Sequence, residues 1–192
     1  MTSATDKKSV TILGCTGTIG QNTVEVITES KDTEFSVESV IAQKSVEKLV
    51  TLAKKVNAKK AVLADESKYS ELKEALSGTN IQAVAGQDAV IEASSQKVDV
   101  FLSSAVGFCA LQPTLSAIKA GSNIGMANKE CLVCAGSFIR EESEKSGSKI
   151  IPIDSEHNSI YQVFDFDRVN EIDKIILTAS GGPFRGWSGE KL

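Results

Sequence analysis

The feature that most constrains the fold is a glycine-rich turn near the amino terminus. Residues 14–20 read GCTGTIG; they follow the apolar residues 10–13 (VTIL) and precede residues 22–27 (NTVEVI), which are amphipathic. A strand, a glycine turn and a helix in this order form the first unit of a dinucleotide-binding βαβ fold. Glycines allow the tight turn and bring backbone N–H groups close to a pyrophosphate. Because the spacing is G-x-x-G-x-x-G and not the commoner G-x-G-x-x-G, this interpretation needs support from a chemical site elsewhere.

Composition and charge exclude several classes of protein. The 192 residues are 41% hydrophobic and 24% charged, which suits one soluble α/β domain, or one domain and part of another. A net charge of −4 without a basic cluster gives no electrostatic footprint for nucleic acid. No apolar run reaches the roughly 18 residues of a membrane span, and the first eight residues lack the apolar core of a secretory signal. We therefore predict a cytoplasmic protein without nucleic-acid or membrane partners.

The rest of the chain alternates short apolar runs with segments of helical periodicity. This alternation predicts a Rossmann-like, doubly wound α/β fold with a mostly parallel sheet. The predicted strands cover residues 10–13, 35–42, 60–64, 81–86, 98–104, 122–127, 149–153 and 172–178. Pro152 favours an edge position, or an end of pairing, for the strand that contains it.

Two of the four cysteines, Cys131 and Cys134, have the C-x-x-C spacing of redox and zinc sites. No second pair accompanies them, and His157 is the only histidine. They also do not begin a helix directly after the first strand, as a thioredoxin-like pair would. We predict that both are packed thiols within a helix, with a redox or zinc role as the alternative.

The end of the second predicted strand bears on the choice of nucleotide. In NAD-binding βαβ units an Asp or Glu at this position binds both ribose hydroxyls. Residues 41–45 read IAQKS and contain no carboxylate. Lys44, beside small hydrogen-bonding side chains such as Ser45, suits a 2′-phosphate and therefore predicts NADP(H). The alternative is that Lys44 is a solvated residue at the start of the next helix.

A pair of carboxylates marks a second chemical site. Asp154 and Glu156 follow the predicted strand 149–153, with Ser155 between them. Their two-residue offset at a strand end points both carboxylates to one side. Oxygen ligands of this kind suit Mg²⁺ or Mn²⁺, with waters and substrate oxygens completing the shell. The alternative is that Asp154 or Ser155 caps the following helix.

Two further polar segments follow predicted strands. Asn128, Lys129 and Glu130 come at the carboxyl edge of the sheet, where α/β proteins bind ligands. A lysine there can fix an anionic group or a substrate hydroxyl; the alternative is an ordinary helix start with a glutamate that suits the helix dipole. Residues 180–182 (SGG) offer a hydroxyl and N–H groups that can hold a phosphate. The alternative is a plain turn before the next proline.

Four of these segments together resemble the 1-deoxy-D-xylulose 5-phosphate reductoisomerase family. They are residues 14–20 (GCTGTIG), 127–130 (ANKE), 152–158 (PIDSEHN) and 178–185 (TASGGPFR). The resemblance implies conversion of 1-deoxy-D-xylulose 5-phosphate to 2-C-methyl-D-erythritol 4-phosphate, in non-mevalonate isoprenoid biosynthesis. It further implies NADPH and a divalent metal, Mn²⁺ or Mg²⁺. The carbon skeleton rearranges before hydride transfer, and the metal acts as a Lewis acid on the substrate oxygens.

The resemblance also implies roles for individual residues. The expected cofactor contacts are Thr16, Gly17, Thr18, Ile19, Lys44, Ser45, Asn128 and Glu130. The expected metal ligands are Asp154 and Glu156. The expected substrate contacts are Lys129, Ser155, Glu156 and Ser180, the last at the substrate phosphate. The expected catalytic residues are Lys129, Asp154 and Glu156, whereas Gln43 departs from the glycine that many members have.

The family pattern divides these residues between two domains. We expect residues 1–148 to form an NADPH-binding domain and residues 149–192 to begin the catalytic domain. Family members are homodimers of about twice this length, with a further metal-binding glutamate, an aromatic flap and more phosphate-binding side chains. We therefore expect a fragment that binds NADPH without turning over the sugar phosphate. The competing hypothesis is a free-standing NADP(H)-binding module with a regulatory or partner-binding role, under which Asp154 and Glu156 have no task.

Overall fold

The structure is a computed structural model that describes residues 7–31, 33–178 and 181–191. The chain divides into two compact units, Met1–Ile151 and Pro152–Leu192. Among the described residues, none of the helices combines the length and the apolar composition of a membrane span.

A seven-stranded sheet forms the centre of the fold. Its strands, in chain order, are β1 Lys8–Leu13, β2 Phe35–Ala42, β3 Lys60–Leu63, β4 Gln82–Ala85, β5 Val100–Ser103, β6 Asn123–Met126 and β7 Ile150–Pro152. Their order across the sheet is β4-β3-β2-β1-β5-β6-β7, and the pairs from β4 to β6 run parallel. Pro152 ends β7, at the edge of the sheet. The predicted doubly wound α/β sheet is confirmed.

Helices connect the strands. They are α1 Thr18–Glu29, α2 Val46–Lys55, α3 Tyr69–Ala75, α4 Gln87–Ser95, α5 Leu111–Lys119, α6 Lys129–Ser146 and α7 Ser155–Val163. Short 3-10 helices occupy Glu66–Lys68, Phe108–Ala110 and Val169–Glu171.

Successive side chains of a strand point to opposite faces of the sheet, and in this fold both faces are buried. Ile12 of β1 belongs to a core that includes Val24 of α1 and Leu49 of α2. The next residue, Leu13, belongs to a second core that includes Val90 of α4 and Ile118 of α5. The near-continuous apolar runs of the central strands follow from this two-sided burial.

The order of the strands creates a crevice beside β1. The chain passes from β1 to β2 on one side, and later places β5 on the other side of β1. At such a switch point the connections leave in opposite directions, and a crevice opens outside the carboxyl ends of the strands. The glycine turn that follows Leu13 therefore lies at the position where this class of sheet binds ligands.

One predicted strand is wrong. Residues 172–178 are described and form no strand, and Ile175, Ile176 and Leu177 are 58%, 73% and 58% exposed. A strand needs a neighbouring strand for its backbone hydrogen bonds, and no described residue after Pro152 belongs to one. The β-branched and apolar residues of this segment favour a strand. Their composition does not provide the neighbouring strand with which such a strand would pair.

The second unit begins with α7 and continues with a polar turn. Tyr161 and Phe164 at the end of α7 contact the ring of Phe166, with centroid distances of 5.6 and 4.7 Å. An ion pair of 2.7 Å joins Asp165 to Arg168 in the predicted polar loop. These local contacts fold the chain back after the helix.

The glycine turn rests on two close approaches of backbone. Gly14 has φ +84°, and a Cβ atom there would lie 2.5 Å from the backbone nitrogen of Ala105, in the segment after β5. A Cβ atom on Gly20, in the first turn of α1, would lie 2.4 Å from the carbonyl oxygen of Gly14. At Gly17 the same oxygen would be 3.4 Å away, which is ordinary contact. Gly14 and Gly20 are therefore required by packing.

This difference predicts unequal effects of two alanine substitutions. Gly20→Ala should lower the free energy of unfolding by about 3 kcal/mol, because overpacking of an interior costs about 1–3 kcal/mol and the clashing atoms are backbone. Gly17→Ala should cost less than about 1 kcal/mol, since the residue has an ordinary φ of −79°. Urea unfolding at neutral pH measures both values. Equal losses in the two variants would contradict the steric explanation.

Candidate functional site

A cavity of about 470 Å³ lies at the carboxyl ends of the central strands. Its walls come from the glycine turn, from the ends of the four neighbouring strands β3, β2, β1 and β5, and from the start of α4. The lining residues are Leu13, Gly14, Thr16, Gly17, Ile41, Ala42, Gln43, Ala64, Gln87, Val90, Ser104, Ala105, Val106 and Cys109. A mainly apolar slot with a few convergent polar groups is typical of a small-molecule or cofactor site.

The N-terminus of α1 lies at one end of this cavity. Thr16 and Gly17 line the cavity and directly precede the first helical residue, Thr18. Gly17 is the N-cap, and no side chain caps the helix there. The side-chain amide of Gln21 donates to the carbonyl of Thr16 at 2.8 Å and so holds the turn. The first N–H groups of a helix, together with its dipole, favour a phosphate at such a position.

Asn128 holds the part of the cavity wall that follows β5. Its Nδ2 donates to the carbonyls of Ala105 and Gly107 at 2.6 and 2.9 Å. Its Oδ1 accepts from the backbone N–H of Cys131 at 2.8 Å and caps α6. Glu130 accepts from the N–H of Gly107 through Oε1 at 3.3 Å. Asn128 is only 3% exposed, and its side chain forms these hydrogen bonds with backbone groups. It therefore positions the segment after β5.

The other predicted cofactor residues lie around the cavity and not in its described lining. Thr18 and Ile19 form the first turn of α1, and Ile19 is partly exposed. Lys44 is exposed between β2 and α2, where Ser45 is the N-cap of α2. Cofactor contacts by these residues, and by Asn128 and Glu130, stay predictions.

Several lining residues were missed by the reasoning from sequence. They are chiefly Ala64 after β3, Gln87 and Val90 of α4, and Ala105, Val106 and Cys109 after β5. The one available signal was the position of the predicted strand ends, since 60–64 and 98–104 both finish beside these residues. Which strand ends meet depends on the strand order, which the periodicity does not specify.

Asp154 caps α7. Its Oδ1 accepts from the backbone N–H of His157 at 2.9 Å, and its Oδ2 makes a short contact with Nδ1 of the same residue. The capping alternative is therefore confirmed, and metal binding by Asp154 stays a prediction. Glu156 lies in the first turn of the same helix, where a negative charge interacts favourably with the helix dipole. The prediction that strand alternation points both carboxylates to one side is wrong, because β7 ends at Pro152 and the two residues belong to the start of a helix. Their oxygen atoms are still of the type that a hard divalent cation binds.

The remaining predicted substrate residues either begin helices or lie outside the described residues. Lys129 is exposed and begins α6, and Ser155 is exposed and begins α7. Ser180 lies outside the described residues. Within the described ranges, no group of three or more His, Cys, Asp or Glu side chains is arranged to hold a metal ion.

The C-x-x-C pair lies within α6, as predicted, but its two thiols differ. Cys131 is buried, and burial raises the pKa of its thiol to about 11. Cys134 is exposed, so the prediction that both are packed is wrong for this residue. The buried residues of α6 are Cys131 and Ile139, so this helix is covered at few positions and Cys134, one turn along from Cys131, reaches solvent. A thiol with a raised pKa is a poor nucleophile at neutral pH, which argues against redox chemistry at Cys131.

Two family models match the chain. One, described as 1-deoxy-D-xylulose 5-phosphate reductoisomerase, matches residues 10–136. The other, described as the C-terminal domain of the same reductoisomerase, matches residues 150–192.

Individual relatives carry the same description. The chain is 44% identical over 185 residues to the 1-deoxy-D-xylulose 5-phosphate reductoisomerase of Rhodospirillum centenum. The aligned region covers 96% of this chain and 46% of the relative. The chain is also 44% identical over 187 residues to that of Rhizobium rhizogenes, covering 97% of this chain and 47% of the relative. The chain thus spans a little under half the length of these relatives.

Solved structures agree with this relationship. The reductoisomerase from Zymomonas mobilis in complex with NADPH has a TM-score of 0.89 and 42% identity, covering 95% of this chain and 48% of that one. A reductoisomerase in complex with magnesium has a TM-score of 0.78 and 32% identity, covering 86% of this chain and 42% of that one. By sequence over nearly its whole length, and by fold, this chain belongs to the 1-deoxy-D-xylulose 5-phosphate reductoisomerase family.

Proposed function

We propose that this chain serves the NADPH-dependent rearrangement and reduction of 1-deoxy-D-xylulose 5-phosphate to 2-C-methyl-D-erythritol 4-phosphate, and that these 192 residues alone bind NADPH without turning over the sugar phosphate. Residues 1–148 would bind NADPH, and residues 149–192 would contribute to the catalytic domain. The observation that carries the proposal is the cavity beside the N-terminus of α1. No side chain caps this helix end, and the residues that form it lie within the segment that matches the family model. A homodimer in the cytoplasm, acting on a small sugar phosphate, completes the proposal.

The cavity has the features that NADPH needs. Backbone N–H groups around Thr16, Gly17, Thr18 and Ile19 would hold the pyrophosphate at the positive end of α1. The apolar slot between Ile41, Ala64 and Val90 suits the flat face of adenine. Lys44 and Ser45 would meet the 2′-phosphate, since β2 ends without a carboxylate for the ribose. Bound NADPH supplies the hydride for the reduction.

The residues after β7 would hold the metal and the substrate. Asp154 and Glu156 supply oxygen donors for Mg²⁺ or Mn²⁺, and a bound cation supplies Lewis-acid chemistry at the substrate oxygens. Lys129 offers a cation for an anionic or hydroxyl group of the substrate, and Ser155 a hydroxyl beside the two carboxylates. Ser180 is proposed at the substrate phosphate. Asn128 and Glu130 support the cofactor by fixing the segment after β5.

One observation favours a second candidate function. All described lining residues of the cavity belong to the unit Met1–Ile151, so nucleotide binding there would not require Asp154 or Glu156. A free-standing NADP(H)-binding module with a regulatory or partner-binding role would need no more than this unit. The two candidates differ in whether the carboxylates after β7 bind a metal.

Nucleotide titrations test the cofactor assignment. Fluorescence titration should show that NADPH binds at least about tenfold more tightly than NADH. Lys44→Ala should remove most of this difference, because a charge-assisted hydrogen bond contributes about 1.5–3 kcal/mol. Lys55→Ala, at the far end of α2, is the matched control and should bind both nucleotides like the wild type. Tighter binding of NADH than of NADPH would refute the assignment.

Metal titrations separate the two candidate functions. Asp154→Asn should weaken Mn²⁺ binding, measured by electron paramagnetic resonance, by about tenfold or more, since loss of even an outer-shell partner costs about 10–100-fold. Asparagine also caps helices well, so α7 should persist. Asp173→Asn removes an exposed carboxylate of the same unit and should leave Mn²⁺ affinity unchanged. Unchanged affinity in Asp154→Asn would favour the free-standing module.

A further inference from the structure

A carboxylate that the proposed NADPH site does not use lies beside Lys44. Strands β2 and β3 are neighbours and run parallel. Their hydrogen bonding continues past both strand ends: the N–H of Ala64 donates to the carbonyl of Ala42, and the N–H of Asp65 donates to the carbonyl of Gln43, each at 2.9 Å. Lys44 directly follows Gln43. Lys44 and Asp65 therefore leave the sheet side by side at its carboxyl edge.

The carboxylate of Asp65 is held in place. Its Oδ1 accepts from the backbone N–H of Ser67 at 3.1 Å and from the Ser67 hydroxyl at 2.6 Å, capping the short helix Glu66–Lys68. The Ser67 hydroxyl is the main cause that lowers the pKa of Asp65, and the positive charges of Lys68 and Lys44 lower this pKa further. Asp65 is thus ionised at neutral pH and interacts electrostatically with Lys44.

The pair stands at the rim of the cavity. Gln43 and Ala64, the residues directly before Lys44 and Asp65, both belong to the cavity lining. A nucleotide whose 2′-phosphate reaches Lys44 therefore brings a second negative group towards Asp65. The phosphate and the carboxylate of Asp65 repel each other as like charges, and both are attracted to the ammonium group of Lys44.

We propose that Asp65 is a specificity-determining residue, whose carboxylate opposes the 2′-phosphate at Lys44 and reduces the preference for NADPH over NADH. The inference rests on the proposed role of Lys44 in NADPH binding. It assigns to Asp65 an effect on one nucleotide only, because NADH carries a hydroxyl where NADPH carries the phosphate. Both side chains are at least partly exposed, so solvent and salt screen the interaction.

The test is a comparison of NADPH and NADH affinities in wild type and Asp65→Asn. Asparagine keeps an acceptor for Ser67 and removes the charge. At low ionic strength Asp65→Asn should bind NADPH about two- to fivefold more tightly, an effect of the size expected for exposed charges, with NADH affinity unchanged. The gain should shrink in 0.5 M salt. Asp65→Ser, which can also cap the helix, provides the same comparison if the asparagine variant does not fold.

A matched control removes a carboxylate elsewhere. Glu29→Gln, at the opposite end of α1 from the glycine turn, should bind both nucleotides like the wild type. Equal gains in Glu29→Gln and Asp65→Asn, equal gains for NADPH and NADH, or weaker NADPH binding in Asp65→Asn would each overturn the inference alone. Absence of NADPH binding by the wild type, or no loss in Lys44→Ala, would overturn the proposed function and this inference with it.

Discussion

The candidate site depends on how closely three backbone segments approach one another at the glycine turn. The segment after β5 lies against Gly14, and the first turn of α1 lies against the carbonyl of Gly14 through Gly20. Neither approach leaves room for a Cβ atom, so the strand, the helix start and the neighbouring strand end meet only because side chains are absent there. The positive end of α1 is thereby fixed at the carboxyl edge of the sheet, and the cavity forms between these segments.

Hydrogen bonds from side chains to the backbone hold the segments around the glycine turn in place. The Ser104 hydroxyl donates to the carbonyl of Leu13 at 2.7 Å, joining the segment after β5 to the end of β1. Asn128 holds the same segment from the other side and caps α6 with the same side chain. The wall of the cavity is therefore formed before a ligand arrives, and a preformed wall reduces the ordering cost of binding. Asn128, which is not among the described lining residues, can therefore still determine the shape of the cavity wall.

Local sequence patterns correctly predicted the features that depend on neighbouring residues, namely the strands of the sheet and the glycine turn. The seven observed strands are short apolar runs bounded by turns, and the turn at residues 14–20 reveals Thr16 and Gly17 without knowledge of the fold. The segment 172–178 has the same apolar character, yet pairing is a long-range property and the prediction failed there. Ala64 and Gln87 line the cavity for a similar long-range reason. Asp65 became visible as a neighbour of Lys44 only through the order of β2 and β3.

The same side chain can serve both structure and chemistry at the second site. Asp154 was open to two interpretations, a helix cap or a metal ligand, and the cap is present. The cap uses Oδ1, and Oδ2 contacts the exposed ring of His157. Asp154 and Glu156 both stand at the start of α7, where the helix dipole favours negative charge. The residue that orders the start of the helix is therefore the same residue that is proposed to bind the divalent cation.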